Sequence, residues 1–397
     1  MMDTPAYSLP GGQVRPFFQP ILSLQTKSII GYEALGRELL QDEVRSLGSF
    51  FHNTAIPEGL QIALDRKLRG LAFEKMANES YNGLLFVNLK PGWIYRMFQQ
   101  TRTLPTLQML ERHGLPGNQL VVEITEESFN GKLNELREII DIYRRYGCLI
   151  AVDDVGSGFS SLDRIATFQP DIIKMDLKIL KKSATHDGYK ALLRSFSIIA
   201  EQMGGSLLVE GVENVTDLTN AMSAGARYVQ GFLFSEARAD FQHPNCYSEL
   251  LGSELERYGR NTYATYQKLT SAERRLMELA EKLSGMEEVR EPDILVEGLL
   301  HEVPGNGLRV QLCRGDGVQI SASFERNGDG VWRKDVTFRG SNWLWRPYFI
   351  PTIVHMQKQR SGMLSQAYTD LDTAKQVQTF SCPVAVDTYL FIDLLIH

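Results

Sequence analysis

The strongest constraint in this sequence is a rhythm. Between residues 14 and 240, short apolar runs alternate with amphipathic segments. The runs are "GLLFVNL" (83–89), "LVVEIT" (120–125), "CLIAVDDV" (148–155), "DIIKMD" (171–176), "SLLVEGV" (206–212) and "YVQGFLF" (228–234). Each is nearly continuous and rich in Val, Ile, Leu or Phe, the pattern of a strand covered on both faces. The segments between them have helical periodicity. One of them, "KLNELREIIDIYRRYG" (132–147), ends in basic residues and a glycine suited to a helix cap. Repeated strand–helix units imply a mostly parallel sheet, and their number favours a (β/α)-barrel over a flat sheet. The expected fold class of this region is α/β.

Polar residues stand where these strands end: Glu33, Asn88, Glu123, Asp153 with Asp154, Lys174, Glu210 and Gln230. From Asn88 through Glu123, Asp153, Lys174 and Glu210 to Gln230 the steps are 35, 30, 21, 36 and 20 residues, each a reasonable length for a βα unit. Parallel barrel strands point one way, so these side chains converge on the rim where barrel enzymes place their chemistry. Singly, each has a plainer explanation. A strand-end Asn is usually a turn former, a buried Glu is usually salt-bridged, and the paired aspartates could cap the helix that follows. The shared periodicity is what makes them a candidate site. Five carboxylates packed together would repel and raise one another's pKa values. Hard divalent cations with oxygen ligands remove that conflict. Adjacent aspartates can give one oxygen to each of two ions, and two ions can clamp the attacking and leaving oxygens of a phosphoryl group. Lys174, in the same ring, can hold or deprotonate the attacking water.

Composition sets the outer limits. At 397 residues the chain is too long for one ordinary core, and two or three domains are expected. We place a barrel domain at 1–245, a helical linker at 246–289 and a small α+β domain at 290–397. The linker shows charge and helical spacing without strand pattern. The last region shows short strands with turns at 314–317 and 327–330, and "TYLFIDLLI" as a strand closing the sheet. A net charge of -6 argues against binding a nucleic-acid polymer. The four cysteines form no CxxC pair, so neither a zinc site nor a disulfide framework is expected, and free thiols suggest a reducing compartment. The N-terminus lacks the pattern of a signal peptide, and no apolar run approaches the roughly 20 residues of a membrane span. A soluble cytoplasmic protein is expected.

The motifs resemble those of the EAL domain, the cyclic di-GMP phosphodiesterase family. "FFQPI" is similar to the family's YQPI, "YEALGR" to its E-A-L-hydrophobic-R, and "FVNL" to its VNLS-like segment. "VEITEES", "VDDVGSGFSSL", "IIKMD", "LLVEGVEN" and "YVQGFLFSEA" are similar to E-hydrophobic-TE, DDFGTGYSSL, LKID, AEGVET and QGYLFSRP. The resemblance covers roughly residues 14–240. It implies that Glu33, Asn88, Glu123 and Asp153 hold one metal ion, and that Asp153, Asp154 and Glu210 hold or approach a second, the ions being Mg²⁺ or Mn²⁺. Lys174 would position the hydrolytic water, with Glu33 beside it. Glu126 would fix the loop 156–161, which in the family contributes to metal binding and dimerisation. Gln19, Leu35, Arg37, Asp154 and Gln230 would contact the nucleotide, Arg37 through a guanidinium fork suited to phosphate. The implied reaction hydrolyses one phosphodiester of cyclic di-GMP to linear pGpG. Departures are mild: Val155, Ser157 and Phe159 replace Phe, Thr and Tyr, and Gly36 replaces a branched apolar residue. Every polar catalytic position that can be mapped is filled, which favours hydrolysis over a receptor that only binds the nucleotide. A protein–protein scaffold using the same surface is a further alternative.

In "GYEALGR", period-two alternation puts Glu33, Leu35 and Arg37 on one strand face, with Ala34 and Gly36 directed into packing. The glycine should therefore affect stability rather than chemistry. In the C-terminal region, "NWLWRPYFIPTIVHM" followed by "YTD" resembles PAS/Cache-type sensor domains. That resemblance implies a small-molecule pocket with Trp343, Arg346, Tyr348, Tyr368 and Asp370, the Arg and aromatics taking a carboxylate and the Asp an amine. The plainer reading is an aromatic core with Arg346 stacked in it. The order of domains resembles the YkuI type of EAL protein, and a homodimer is expected.

Overall fold

Eight strands close a barrel in the first half of the chain. The computed structural model describes residues 10–41, 43–124, 133–156, 161–346 and 348–396. The barrel strands are β1 (Gln13–Ser23), β2 (Ser28–Leu39), β3 (Leu84–Leu89), β4 (Leu120–Ile124), β5 (Leu149–Val155), β6 (Ile172–Met175), β7 (Ser206–Val209) and β8 (Tyr228–Val229). From β3 to β8 each strand runs parallel to the one before it. β1 is reversed. It pairs antiparallel with both β2 and β8, and so closes the ring. The cause is local: the turn between Ser23 and Ser28 is far too short for the crossover that parallel strands need. The expected (β/α)-barrel stands, with one antiparallel strand that the apolar rhythm did not disclose. A second difference lies in β2. It does not end at Glu33 but runs on to Leu39, and only its pairing with β3 ends there, at Glu33 opposite Phe86.

The alternation of side chains builds two layers. Leu85, Val87, Leu120, Val122, Ile150, Val152 and Ile173 point outward into the cluster that packs under the helices. Ile21, Phe86, Val121, Ala151, Ile172 and Leu208, one from each of six strands, form a separate buried cluster in the barrel interior. The barrel is thus plugged by branched and aromatic side chains, as closed barrels of this size are.

The chain divides into two compact units, Met1–Gly259 and Arg260–His397. Helix α1 (Ser248–Leu283) is a single element of 36 residues. Its Leu251 belongs to the core of the first unit, and Leu276, Leu279, Ala280 and Leu283 to that of the second. The second unit is an antiparallel sheet of β9 (Gly307–Arg314), β10 (Ser323–Arg326), β11 (Trp332–Asp335), β12 (Met363–Leu364), β13 (Tyr368–Thr369), β14 (Gln376–Ala385) and β15 (Thr388–Leu395). The order is β11-β10-β9-β15-β14-β12, with β13 also on β14. β15 therefore sits in the middle of the sheet, not at its edge. Its seven successive buried residues are what a strand covered on both faces requires. One face packs on the end of α1 and the helix Pro292–Leu299, the other on helix α2 (Phe349–Gln359). The α+β class holds. Among the described residues, no helix is long and apolar enough to cross a membrane.

Candidate active site

The polar ring follows from the apolar plug by counting two. Two residues beyond Phe86, Val121, Ala151, Ile172 and Leu208 stand Asn88, Glu123, Asp153, Lys174 and Glu210. On the reversed strand the count runs backward, from Ile21 to Gln19. With period two, all six side chains point into the barrel one layer above the plug. The ring closes on Lys174, which is 1% exposed. Its Nζ lies 2.6 Å from Glu123 Oε1 and 2.6 Å from Glu210 Oε1. Asp153 Oδ1 is at 3.3 Å and Glu33 Oε2 at 3.6 Å. Glu33 is further fixed by two amides: Asn88 Nδ2 donates to its Oε1 and Gln230 Nε2 to its Oε2, both at 2.8 Å. Gln230 also donates to Gln19, whose own amide donates to the carbonyl of Ser235.

Regular alternation would send adjacent aspartates to opposite faces. A break in register between Val152 and Val155 prevents that. It is a bulge in which Asp154 takes a left-handed conformation, with φ of 55°. Bulges commonly re-aim side chains beside active sites. Here carboxylate oxygens of Asp153, Asp154 and Glu210 all come within 4.8 Å of one another. These three are the group the sequence reading assigned to a second ion. Glu126 and most of the loop 156–161 lie outside the described residues.

The electrostatics are unbalanced. Burial raises the carboxyls of Glu123, Asp153 and Glu210, and the Lys174 charge offsets this only in part. Asp154 is pushed up to about 6 by loss of water and by Asp153 beside it. Glu33 goes the other way: burial works against its charged form, but Lys174 and the Gln230 and Asn88 amides more than offset it. Lys174 is held well above the ordinary lysine value, because its carboxylate neighbours outweigh its burial. One ammonium stands in ion-pair reach of four carboxylates, and among the described residues Glu123 Oε2, fully buried, has no hydrogen-bond donor. An oxygen-only donor set with uncompensated negative charge fits hard divalent cations.

Asn88, Asp153 and Asp154 also line a cavity of about 570 Å³, within the range of small-molecule sites. Leu35 and Arg37 from β2 line it too. Burial lowers the Arg37 pKa, although Glu33 and Glu236 pull it upward. The reading by motif missed several further lining residues: Phe51, His52, Asp65, Arg69, Lys90 and Trp93. For Lys90 a signal existed, since it lies two residues beyond Asn88. For the others none did, because they come from helices and loops whose approach depends on the closed fold. Gly36 and Ala34, expected to turn into packing, line this cavity as well, together with Leu47 and Leu68. A Cβ at Gly36 would lie 2.8 Å from Leu68 Cδ1 and 3.2 Å from Leu47 Cδ1. Gly36→Val is therefore expected to cost about 1–3 kcal/mol through overpacking, read as a lower midpoint in denaturant melts. Divalent-cation affinity should change less than about threefold. An order-of-magnitude loss of cation binding would mean that this face of β2 reaches the ring.

In the second unit, Trp343, Arg346, Tyr348, Tyr368 and Asp370 line one small cavity of about 10 Å³, the space of a single water. The Arg346 guanidinium lies 4.4 Å from the Trp345 ring centre, and its buried Nε has no hydrogen-bond partner among the described residues. Tyr348 stacks on Tyr368 at 5.3 Å. Asp370 is 1% exposed and accepts from Arg309 and Thr373.

Residues 6–237 match the EAL domain family, and residues 244–397 match the EAL-domain associated signalling protein domain. The EAL-domain containing protein YkuI of Bacillus subtilis, described as uncharacterized, is 31% identical over 385 residues, 96% of this chain and 94% of YkuI. The crystal structure of YkuI in complex with substrate c-di-GMP and calcium matches with a TM-score of 0.87 at 30% identity, over 96% of each chain. BlrP1 of Klebsiella pneumoniae, solved as a manganese/c-di-GMP complex, matches with a TM-score of 0.51 at 27% identity, over 58% of each chain. RocR of Pseudomonas aeruginosa, a cyclic di-GMP phosphodiesterase by name, is 34% identical over 128 residues, 32% of each chain.

Proposed function

The chain belongs to the EAL-domain family, and from that premise we propose that it hydrolyses one phosphodiester of cyclic di-GMP to give linear pGpG. The observation that carries this reading is the junction of two features. A carboxylate ring centred on Lys174 and the cavity bearing Arg37 share Asn88, Asp153 and Asp154. Support comes from YkuI, solved with cyclic di-GMP and calcium, and from RocR, named for this activity.

In this reading Glu33, Asn88, Glu123 and Asp153 would hold one Mg²⁺ or Mn²⁺, and Asp153, Asp154 and Glu210 would hold or approach the other. Such ions stabilise charge developing on phosphoryl oxygens and acidify water. The protein's own groups do the rest. Arg37 grips non-bridging phosphate oxygens through its fork of donors. Leu35 packs on a base, and Gln19 and Gln230 hold the nucleotide above the ring. Lys174, anchored by Glu123 and Glu210, orients the attacking water. The water oxygen bonds to phosphorus, the bond from phosphorus to the 3′ oxygen breaks, and that oxygen leaves with a proton. The product keeps a 5′ phosphate and a free 3′ hydroxyl.

The full chain incubated with cyclic di-GMP and Mg²⁺ or Mn²⁺ should yield pGpG as the first product in chromatography. A protein that binds cyclic di-GMP in Ca²⁺ but forms no pGpG with either metal would be a receptor instead.

A further inference from the structure

We propose that Trp93 and Lys90 form the subsite for one guanine base of the bound dinucleotide and set the preference for guanine over adenine. This inference rests on the nucleotide reading above. Lys90 directly follows β3, and Trp93 lies in the first turn of the helix Pro91–Thr101. Both line the cavity that also holds Asn88 and Arg37. Neither residue was singled out by the motifs.

Both groups are held in place from elsewhere in the fold. The Trp93 indole Nε1–H donates to Glu58 Oε1 at 2.7 Å, which fixes the plane of the ring. The Lys90 ammonium donates to the carbonyl of Phe51 at 2.8 Å and lies 4.8 Å from the centre of the Trp93 ring. The cavity wall therefore presents an aromatic ring with a fixed cation over one of its faces, which leaves the other face for a base. A base stacks on such a ring whatever its identity. The ammonium adds selection. Guanine presents O6 and N7 as adjacent acceptors, which a lysine can bind, whereas adenine puts an N6 donor beside its N7. A pocket for a generic phosphodiester would need neither group.

The test uses the full chain in Ca²⁺, with calorimetry for affinity and tryptophan fluorescence as a second readout. Trp93 is the sole tryptophan among residues 1–259, so quenching caused by stacking should vanish in Trp93→Phe. Trp93→Ala should weaken cyclic di-GMP binding about tenfold or more, and Trp93→Phe should recover most of that loss. Trp93→Leu, which keeps apolar bulk, should bind as weakly as Trp93→Ala. Lys90→Met should shrink the preference for cyclic di-GMP over cyclic di-AMP. Circular dichroism confirms that each variant is folded. Affinity within twofold of wild type in folded Trp93→Ala overturns the stacking role. Equal weakening of both dinucleotides in Lys90→Met overturns the selectivity role. Wild-type protein that binds no cyclic di-GMP overturns the nucleotide reading itself, a result separable from either.

Discussion

Lys174→Met is expected to lower the rate of cyclic di-GMP hydrolysis by about a thousandfold, while nucleotide affinity in Ca²⁺ stays within about threefold of wild type. The two effects separate because of where Lys174 sits. It lies at the centre of the ring, 1% exposed and in ion-pair reach of four carboxylates, and it is not among the residues lining the cavity that bears Arg37. Its loss would remove the group proposed to orient water but leave the cavity wall intact. Stability offers an independent check. Without divalent cations, Lys174→Met leaves three buried carboxylates and the half-buried Glu210 with no counter-charge at their centre, a change that costs about 3–5 kcal/mol for a broken buried pair. Cations that bind the folded ring should then raise the melting temperature of the variant more than that of the wild type, by mass action. Turnover within tenfold of wild type would remove Lys174 from the reaction. A melting temperature unaffected by the substitution in chelator would contradict its place at the centre of the charges.

Much of this site was legible because the barrel repeats itself. Each βα unit places one polar residue at the same height, so Asn88, Glu123, Asp153, Lys174 and Glu210 could be ranked together by spacing alone. What spacing could not show depends on local backbone and on distant approach. The bulge at Asp154 overrides alternation, and a two-residue repeat would have placed its carboxylate outside. The reversal of β1 follows from a short turn, which the apolar rhythm does not encode. Phe51, His52, Asp65 and Trp93 reach the cavity from helices and loops, where no strand periodicity marks them. The C-terminal unit was least legible. "GLRVQLCR" reads as an apolar strand with an arginine that alternation would expose, yet Arg309 is 4% exposed. Its partners lie 16 to 84 residues away, and only the sheet brings them together.

That arginine carries the other large prediction: Arg309→Met should destabilise the second unit by about 3–5 kcal/mol at pH 7, and the loss should shrink in acid. The guanidinium donates through Nε to Glu325 at 2.8 Å, through Nη2 to Asp372 at 3.0 Å, and through Nη1 to Asp370 at 3.2 Å and Asp393 at 3.5 Å. Asp370 and Asp393 are buried, so each depends on this cation. Burial works against the charged form of Asp370, but Thr373 and Arg309 outweigh it and hold its pKa below the ordinary value. In the wild type that contribution is present above the unfolded aspartate pKa of about 3.9 and is lost as pH falls through the lower folded value. Asp393 differs: burial dominates and raises its pKa even with Arg309, Thr379 and Tyr368 opposing. With methionine at position 309 the guanidinium no longer opposes burial at either aspartate, so both folded pKa values rise, and that of Asp393, raised already in the wild type, moves further above the unfolded one. The folded variant then takes up protons before the unfolded chain does, and its stability rises as pH falls from 7 toward about 4. Denaturant melts of wild type and variant at pH 7 and pH 5 measure the gap at each. A gap that stays constant, or one below about 1 kcal/mol at pH 7, would show that the four carboxylates are stabilised by water or by their hydroxyl partners rather than by Arg309.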